Sequence, residues 1–187
     1  GTVDPLCGVD LGVAEIARMA TEVHLNGVVW HHRFQGTFIA DSRMGAFLRK
    51  MAEFNLPAFV HVFSESTMEA PWGLELLAEE HRDVTFVALD AFSGLTQVRY
   101  MMAMAKRNPN LMFETAAMFP LTPILEEFVG RFGSDRLLFG TDLYLSPRTY
   151  QYPLILQQIL SSNGLSEDDK RNIFWRNSAR LFGLPPE

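Results

Sequence analysis

The chain has 187 residues, of which 48% are hydrophobic and 20% charged, and its formal net charge is −6. This composition excludes a disordered chain, and the negative charge argues against nucleic acid or an anionic membrane as a partner. The partner is then expected to be a small molecule or another protein. With the single cysteine Cys7, neither an internal disulfide nor a cysteine-rich zinc ribbon can form, which favours a cytoplasmic protein.

Apolar runs typical of buried strands alternate with helix-like segments along the chain. The predicted strands cover residues 27–32, 57–63, 84–90, 111–116 and 136–142, with room for one more near TVDPL at residues 2–6. The predicted helices cover residues 13–25, 42–54, 72–82, 94–107, 121–132, 149–162 and 166–182. Ser166 is expected to cap the last helix and Gly183 to end it.

The spacing of these elements predicts the fold class. The strands begin 25 to 30 residues apart and are apolar throughout, which indicates parallel strands covered by helices. An open sheet that binds nucleotides usually carries a GxGxxG or GxxxxGK[ST] loop, and neither occurs, so we predict an α/β fold of the (β/α)8 TIM-barrel type. Such a barrel has eight strand-helix units, whereas five to six can be counted here. We expect a single domain, residues 1–187, that forms the C-terminal part of a barrel whose N-terminal strands are missing.

Side chains that can carry chemistry stand at the end of every predicted strand. They are His31, His32 and Arg33; His61, Ser64 and Glu65; Asp90; Glu114 and Thr115; and Thr141 and Asp142. The starts of the strands mostly lack such side chains, and active sites of barrels lie at the carboxyl ends of the strands. Imidazole and carboxylate groups at one mouth could bind a divalent metal ion or form an acid–base pair.

These residues also have structural explanations. His61 is flanked by valines and could be a core histidine, and Asp142 could anchor the loop that follows it. His31 and His32 are neighbours, so in a strand they would point to opposite faces and only one would face the lumen.

Five segments of the chain resemble the amidohydrolase-2 family of metal-dependent TIM-barrel hydrolases, in the branch of the aminocarboxymuconate-semialdehyde decarboxylase-like enzymes. They read GVVWHHRFQG, LPAFVHVFSES, HRDVTFVALDAFSG, FGSDRLLFGTDLY and NIFWRNSARLFGL. The resemblance implies a divalent metal, typically zinc, with His61 as a ligand from the fifth barrel strand. It further implies that Asp142, on the eighth strand, binds the metal or activates its water, and that RFQG helps to line the substrate pocket.

Two features of the family are missing from this sequence. The His-x-His pair that supplies two metal ligands from the first strand does not occur, as expected if the first strands are missing. On the sixth strand, Ala91 takes the place of a histidine that acts as acid or base, and Asp90 precedes it. Asp90 could take over the proton transfer, could brace a neighbouring loop, or could belong to a barrel that has lost activity.

The resemblance thus implies a metal-dependent hydrolase or decarboxylase of a small substrate, carboxylated or not, with catalytic roles for His61 and Asp142. Asp90 is the third catalytic candidate. The alternative is a degenerate barrel that binds a ligand or a protein. Because an incomplete barrel leaves strand edges open, we expect a homo-oligomer or pairing with the missing barrel segment. Glu65 and Glu69, in one polar loop, are expected to be solvated and not catalytic. Arg33 could clamp a carboxylate, and the candidates for substrate binding are His32, Arg33, Glu65 and Glu114.

Overall fold

A computed structural model of the chain describes residues 1–116, 122–142 and 152–185. The chain divides into two compact units. The first comprises Gly1–Leu89 with Arg107–Leu111, and the second comprises Asp90–Lys106 with Met112–Glu187.

The first unit alternates helices with three parallel strands. Its elements are a 3-10 helix (Pro5–Cys7), α1 (Val9–Thr21), β1 (Val28–Trp30), α2 (His32–Gln35), α3 (Met44–Glu53), β2 (Ala58–His61), α4 (Pro71–Glu80) and β3 (Phe86–Leu89). Strand β2 pairs with both β1 and β3, and Ala58 lies opposite Val28 on one side and Phe86 on the other. Each parallel pair needs a crossover connection, which the intervening helices provide.

The core of the first unit consists of strand residues and one face of each longer helix. Val28, Trp30 and Val60 are fully buried. Helix α1 approaches α3 closely at Gly12, where a Cβ atom would overlap the ring of Phe47. Only glycine therefore allows the two helices to pack at this distance.

The second unit contains two parallel strands and the remaining helices. Its elements are most of α5 (Leu95–Arg107), β4 (Leu111–Glu114), α6 (Thr122–Phe132), β5 (Leu137–Leu138), α7 (Tyr152–Ser161), α8 (Glu167–Arg171), a π-helical turn (Asn172–Arg176) and α9 (Asn177–Leu181). In the β4–β5 pair, Phe113 lies opposite Leu137 and Glu114 opposite Leu138. Behind these strands, Phe128 meets the rings of Phe92 and Phe113 edge to face, with centroids 5.7 and 5.2 Å apart.

Most predicted elements are confirmed, with shorter strands than expected. The extra strand near residues 2–6 was wrong: Pro5–Cys7 is a 3-10 helix, which Asp4 caps by accepting the N–H of Leu6. The predicted strand 27–32 ends at Trp30, so His31 and His32 follow the strand instead of alternating within it. The predicted helix 149–162 starts outside the described residues, as does residue 121 of the helix before it.

The predicted helix 166–182 is continuous but not uniformly α-helical. Ser166 and Asp169 form a reciprocal capping box at its start, and Gly183 follows its end with φ of 64°. Both end signals are therefore confirmed, whereas the π-helical turn in the middle was not predicted. Among the described residues, no helix combines the length and the apolar character that crossing a bilayer requires.

Candidate functional site

The residues that follow β1 and β2 meet in the first unit. His31 comes directly after β1 and His61 is the last residue of β2, and their rings stack with centroids 4.1 Å apart and an angle of 15° between their planes. The parallel register, with Trp30 opposite Val60, brings these two strand ends together. Nδ1 of His61 lies 3.3 Å from the backbone oxygen of Trp30, which orients this imidazole.

The acid that joins this group is Glu69, whose side chain is only 1% exposed. The expectation that Glu69 is solvated was therefore wrong. One of its oxygens, Oε1, lies 2.5 Å from Nδ1 of His31 and also accepts the backbone N–H of Arg33 at 3.1 Å. Burial lowers the pKa of His31 and the neighbouring His61 lowers it further, whereas Glu69 raises it. Burial and His61 outweigh Glu69, so the pKa of His31 lies below its ordinary value while its ring stays hydrogen-bonded to a buried carboxylate.

Arg33 is held by the same carboxylate and by aromatic rings. Its Nε lies 3.6 Å from Oε2 of Glu69, and its guanidinium carbon lies 5.2 Å from the ring centroids of both Phe34 and Phe63. Contacts of this kind stabilise a cation over an aromatic face. With 44% of its side chain exposed, Arg33 keeps part of its planar guanidinium fork open to an anion.

The two other predicted binding residues of this unit, His32 and Glu65, differ in burial. His32 is fully buried, and its Nδ1 lies 3.0 Å from Oγ1 of Thr37. Burial lowers the pKa of His32 to about 4, so it is neutral under ordinary conditions. Glu65 is exposed in the loop after β2. The substrate-binding roles of both residues stay predictions.

Glu114, at the end of β4, organises the candidate residues of the second unit. It is 8% exposed, and its Oε1 accepts the N–H of Ala116 at 2.6 Å while its Oε2 lies 3.4 Å from the N–H of Asp90. Burial raises the pKa of Glu114 to about 8, and the charges of Asp90 and Asp142 add to this, while the two backbone N–H groups oppose it. Glu114 is therefore mainly a neutral carboxylic acid at pH 7.

The backbone around Glu114 is unusual in two ways. Asp90 and Asp142 have φ of 56° and 52°, in the left-handed region that few residues other than glycine adopt. Gly140 packs against Glu114 so closely that a Cβ atom there would overlap Oε1. Its N–H donates to Oγ1 of Thr115 at 3.2 Å, which ties the segment after β5 to the end of β4.

The predicted metal ligands, His61 and Asp142, do not form a complete metal site with the other described residues. His61 lies in the first unit and Asp142 in the second, and Ala91, fully buried, offers no donor. An imidazole and a carboxylate suit a divalent ion, but a tight site needs about three to four protein ligands. Within residues 1–116, 122–142 and 152–185, no group of three or more His, Cys, Asp or Glu side chains could hold a metal ion. The described residues alone therefore do not make a metal centre.

Comparison with known proteins gives one family and a set of similar folds. The amidohydrolase family model matches residues 2–184. No curated protein matches the sequence significantly.

The structure of a TIM-barrel protein from Bordetella bronchiseptica matches 98% of this chain and 65% of its own, with a TM-score of 0.77 and 16% identity. A 5-carboxyvanillate decarboxylase from Novosphingobium aromaticivorans, complexed with manganese, matches 98% and 63%, with a TM-score of 0.73 and 15% identity. An amidohydrolase from Burkholderia multivorans with bound zinc matches 90% and 70%, with a TM-score of 0.65 and 17% identity.

These likenesses show the fold, a part of a TIM barrel, and confirm the predicted fold class. The chain spans 63 to 66% of the length of the 5-carboxyvanillate decarboxylases that it matches.

Proposed function

Because the chain belongs to the amidohydrolase family, we propose that the protein is an enzyme that decarboxylates a small carboxylated substrate without oxidation, or hydrolyses a C–N or C–O bond in it. The observation that carries this proposal is Glu114, a buried carboxylic acid held by the N–H of Ala116 at the end of β4. Decarboxylases and hydrolases of this fold both need a group that delivers a proton, and an acid with a pKa near the working pH does so best.

Non-oxidative decarboxylation is the reaction that fits a neutral Glu114 most directly. The bond between the substrate carbon and its carboxylate breaks, CO2 leaves, and the electron pair stays on the carbon. That carbon takes the proton of Glu114, so the proton replaces CO2, and the Glu114 carboxylate recovers a proton from water. Burial together with Asp90 and Asp142 keeps Glu114 protonated before the step.

Hydrolysis would use the same acid on a different atom. Water adds its hydroxyl to the carbon of the scissile bond, and the leaving nitrogen or oxygen takes the proton of Glu114. Asp90 is the candidate to accept the second proton of that water, and its backbone N–H lies 3.4 Å from the acid itself. Two carboxyl groups held in different protonation states are a recurrent way to divide acid and base roles.

A divalent metal ion belongs to this proposal for the protein as a whole. Similar structures contain manganese or zinc. We assign one ligand each to His61 and Asp142, with the remaining ligands outside the described residues, and we route no step through the ion.

The test is turnover by the purified protein and by its Glu114→Gln variant. The assays measure CO2 release from aromatic carboxylates such as 5-carboxyvanillate, and hydrolysis of N-acyl amino acids and lactones. We expect Glu114→Gln to lower kcat about 100-fold or more, the usual contribution of a general acid. The wild-type rate should fall above about pH 8, where Glu114 loses its proton.

Glu127→Gln is the matched control because Glu127 is exposed on α6 and has no assigned role, and it should leave kcat unchanged. Full activity of Glu114→Gln would overturn the assigned role. If neither reaction occurs with any substrate, while the folded protein still binds carboxylates, the degenerate barrel replaces the enzyme.

A further inference from the structure

Glu69 is a buried carboxylate to which the proposed function gives no role. It lies in the loop between β2 and α4, and its position is fixed by the backbone. The backbone N–H of Phe63 donates to the backbone carbonyl oxygen of Glu69 at 2.8 Å, and the backbone N–H of Ile39 donates to the backbone carbonyl oxygen of Met68 at 2.9 Å. The loop therefore turns Glu69 inward, and a buried charge is retained only where other groups satisfy it.

The groups that satisfy Glu69 are His31 and Arg33. Its Oε1 lies 2.5 Å from Nδ1 of His31 and 3.1 Å from the backbone N of Arg33, and its Oε2 lies 3.6 Å from Nε of Arg33. Because an ionised carboxylate can only accept hydrogen bonds, Nδ1 of His31 must carry the hydrogen. In a neutral imidazole the other nitrogen, Nε2, then carries the lone pair.

The ring of His31 is also held on both faces. Its centroid lies 4.1 Å from that of His61 and 3.9 Å from that of Phe34. The side chain remains 21% exposed, unlike that of Glu69 at 1%. The carboxylate therefore occupies the buried nitrogen of the ring, and the opposite nitrogen is left toward the accessible side.

We propose that Glu69 is a positioning residue: it fixes His31 so that Nε2 accepts a hydrogen bond from a bound molecule, and it holds Arg33 to donate to the same molecule. The ligand is a small carboxylic acid that also carries a hydrogen-bond donor such as a hydroxyl group. Its carboxylate binds the guanidinium of Arg33, which Phe34 and Phe63 flank. This inference rests on the proposed function, because it assigns part of the substrate of that enzyme.

The first test reads the tautomer of His31 directly. In protein with 15N-labelled histidine at pH 7.5, two-bond 1H–15N spectra should show His31 mainly protonated at Nδ1, with His31→Asn giving the assignment. Glu69→Gln should shift His31 toward the Nε2-protonated form that free histidine prefers, and Glu65→Gln, a matched change in the same loop, should not. If wild-type His31 carries its hydrogen on Nε2, the inference fails, and this measurement needs no variant.

The second test measures selectivity, which a merely structural ion pair would not influence. Wild-type protein should bind 3-hydroxybenzoate or 4-hydroxybenzoate about three- to tenfold more tightly than benzoate, the range expected for one added hydrogen bond. In Glu69→Gln this ratio should fall to about one. The ratio is informative because removing the Glu69 charge affects all of these anions alike. Absence of the preference, or its survival in Glu69→Gln, overturns the inference.

The outcomes separate this inference from the proposed function. Turnover of carboxylated substrates without any preference for the hydroxylated probes leaves the enzyme and refutes the role of Glu69. A preference that depends on Glu69, without turnover of any substrate, supports the role of Glu69 and refutes the proposed enzyme.

Discussion

Two buried carboxyl groups of this chain are stabilised by opposite means. Glu69 meets a cation and an imidazole, since Arg33 and His31 both lie against its oxygens. Among the described residues, Glu114 accepts hydrogen bonds from the backbone N–H groups of Asp90 and Ala116, and burial, with the charges of Asp90 and Asp142 adding to it, raises its pKa to about 8. The same residue type is therefore held by charged and ring partners in one unit and kept mainly as a neutral acid by burial in the other.

The raised pKa of Glu114 predicts a specific dependence of stability on pH. From the ordinary value of 4.5 up to about 8, the folded protein keeps this proton while the unfolded chain loses it. The free energy of unfolding should therefore fall as pH rises through this window, by at most about 1.4 kcal/mol per pH unit, and level off above it. Glu114→Gln, which cannot lose a proton, should lack this decrease.

The comparison is cleanest between pH 6.5 and 8. Below that, His32 acts in the opposite direction, because its pKa falls from 6.5 to about 4 on folding and stability then rises with pH. Urea unfolding of wild type and Glu114→Gln at several pH values gives the difference directly. A constant difference across pH 6.5 to 8 would show that Glu114 is not held protonated.

At the scale of elements, the contact between the ends of β4 and β5 requires glycine at position 140. A Cβ atom at Gly140 would overlap Oε1 of Glu114, so Gly140→Ala must displace the acid or the segment after β5. We expect a loss of about 1–3 kcal/mol in the free energy of unfolding, typical of overpacking, together with a large loss of any activity that needs Glu114.

Gly130→Ala provides the control within the same unit. Gly130 lies in α6, and a Cβ atom there would meet nothing within 4 Å. Because alanine is a better helix former, Gly130→Ala should be neutral or stabilise by up to about 1 kcal/mol. Chemical denaturation of both variants is sufficient, and an unchanged stability of Gly140→Ala would refute the close packing against Glu114.

The sequence predicted the elements better than the contacts of their ends. Apolar periodicity places β2 and α3 within a few residues, and the Ser166 capping pattern marks the start of α8. The expectation that functional side chains stand at the carboxyl ends of the strands also identified His31, His61 and Glu114 as candidates. This expectation missed Glu69, because the local sequence around an acid in a polar loop is the same whether its side chain is exposed or buried. Its burial depends on backbone hydrogen bonds between distant segments, such as that from Ile39 to Met68, which no local pattern reveals.

At the scale of the whole molecule, the candidate residues belong to two units with different chemistry. His31, His61, Arg33 and Glu69 lie in the first, and Asp90, Glu114 and Asp142 lie in the second. The chain spans 63 to 66% of the 5-carboxyvanillate decarboxylases that it matches. Metal binding is the part of the proposed function that can be measured without knowing the substrate.

We expect Zn2+ affinity to depend on both His61 and Asp142. Removing a ligand should weaken binding by at least 10-fold, since even loss of a group that only supports a ligand costs 10- to 100-fold as an order of magnitude. Competition with a chromophoric chelator measures the affinity of wild type, His61→Ala and Asp142→Ala, while circular dichroism verifies their folds. Glu65→Ala should bind as wild type does, because Glu65 is exposed in the loop after β2. If only one of His61→Ala and Asp142→Ala weakens binding, the other residue has been assigned the wrong role.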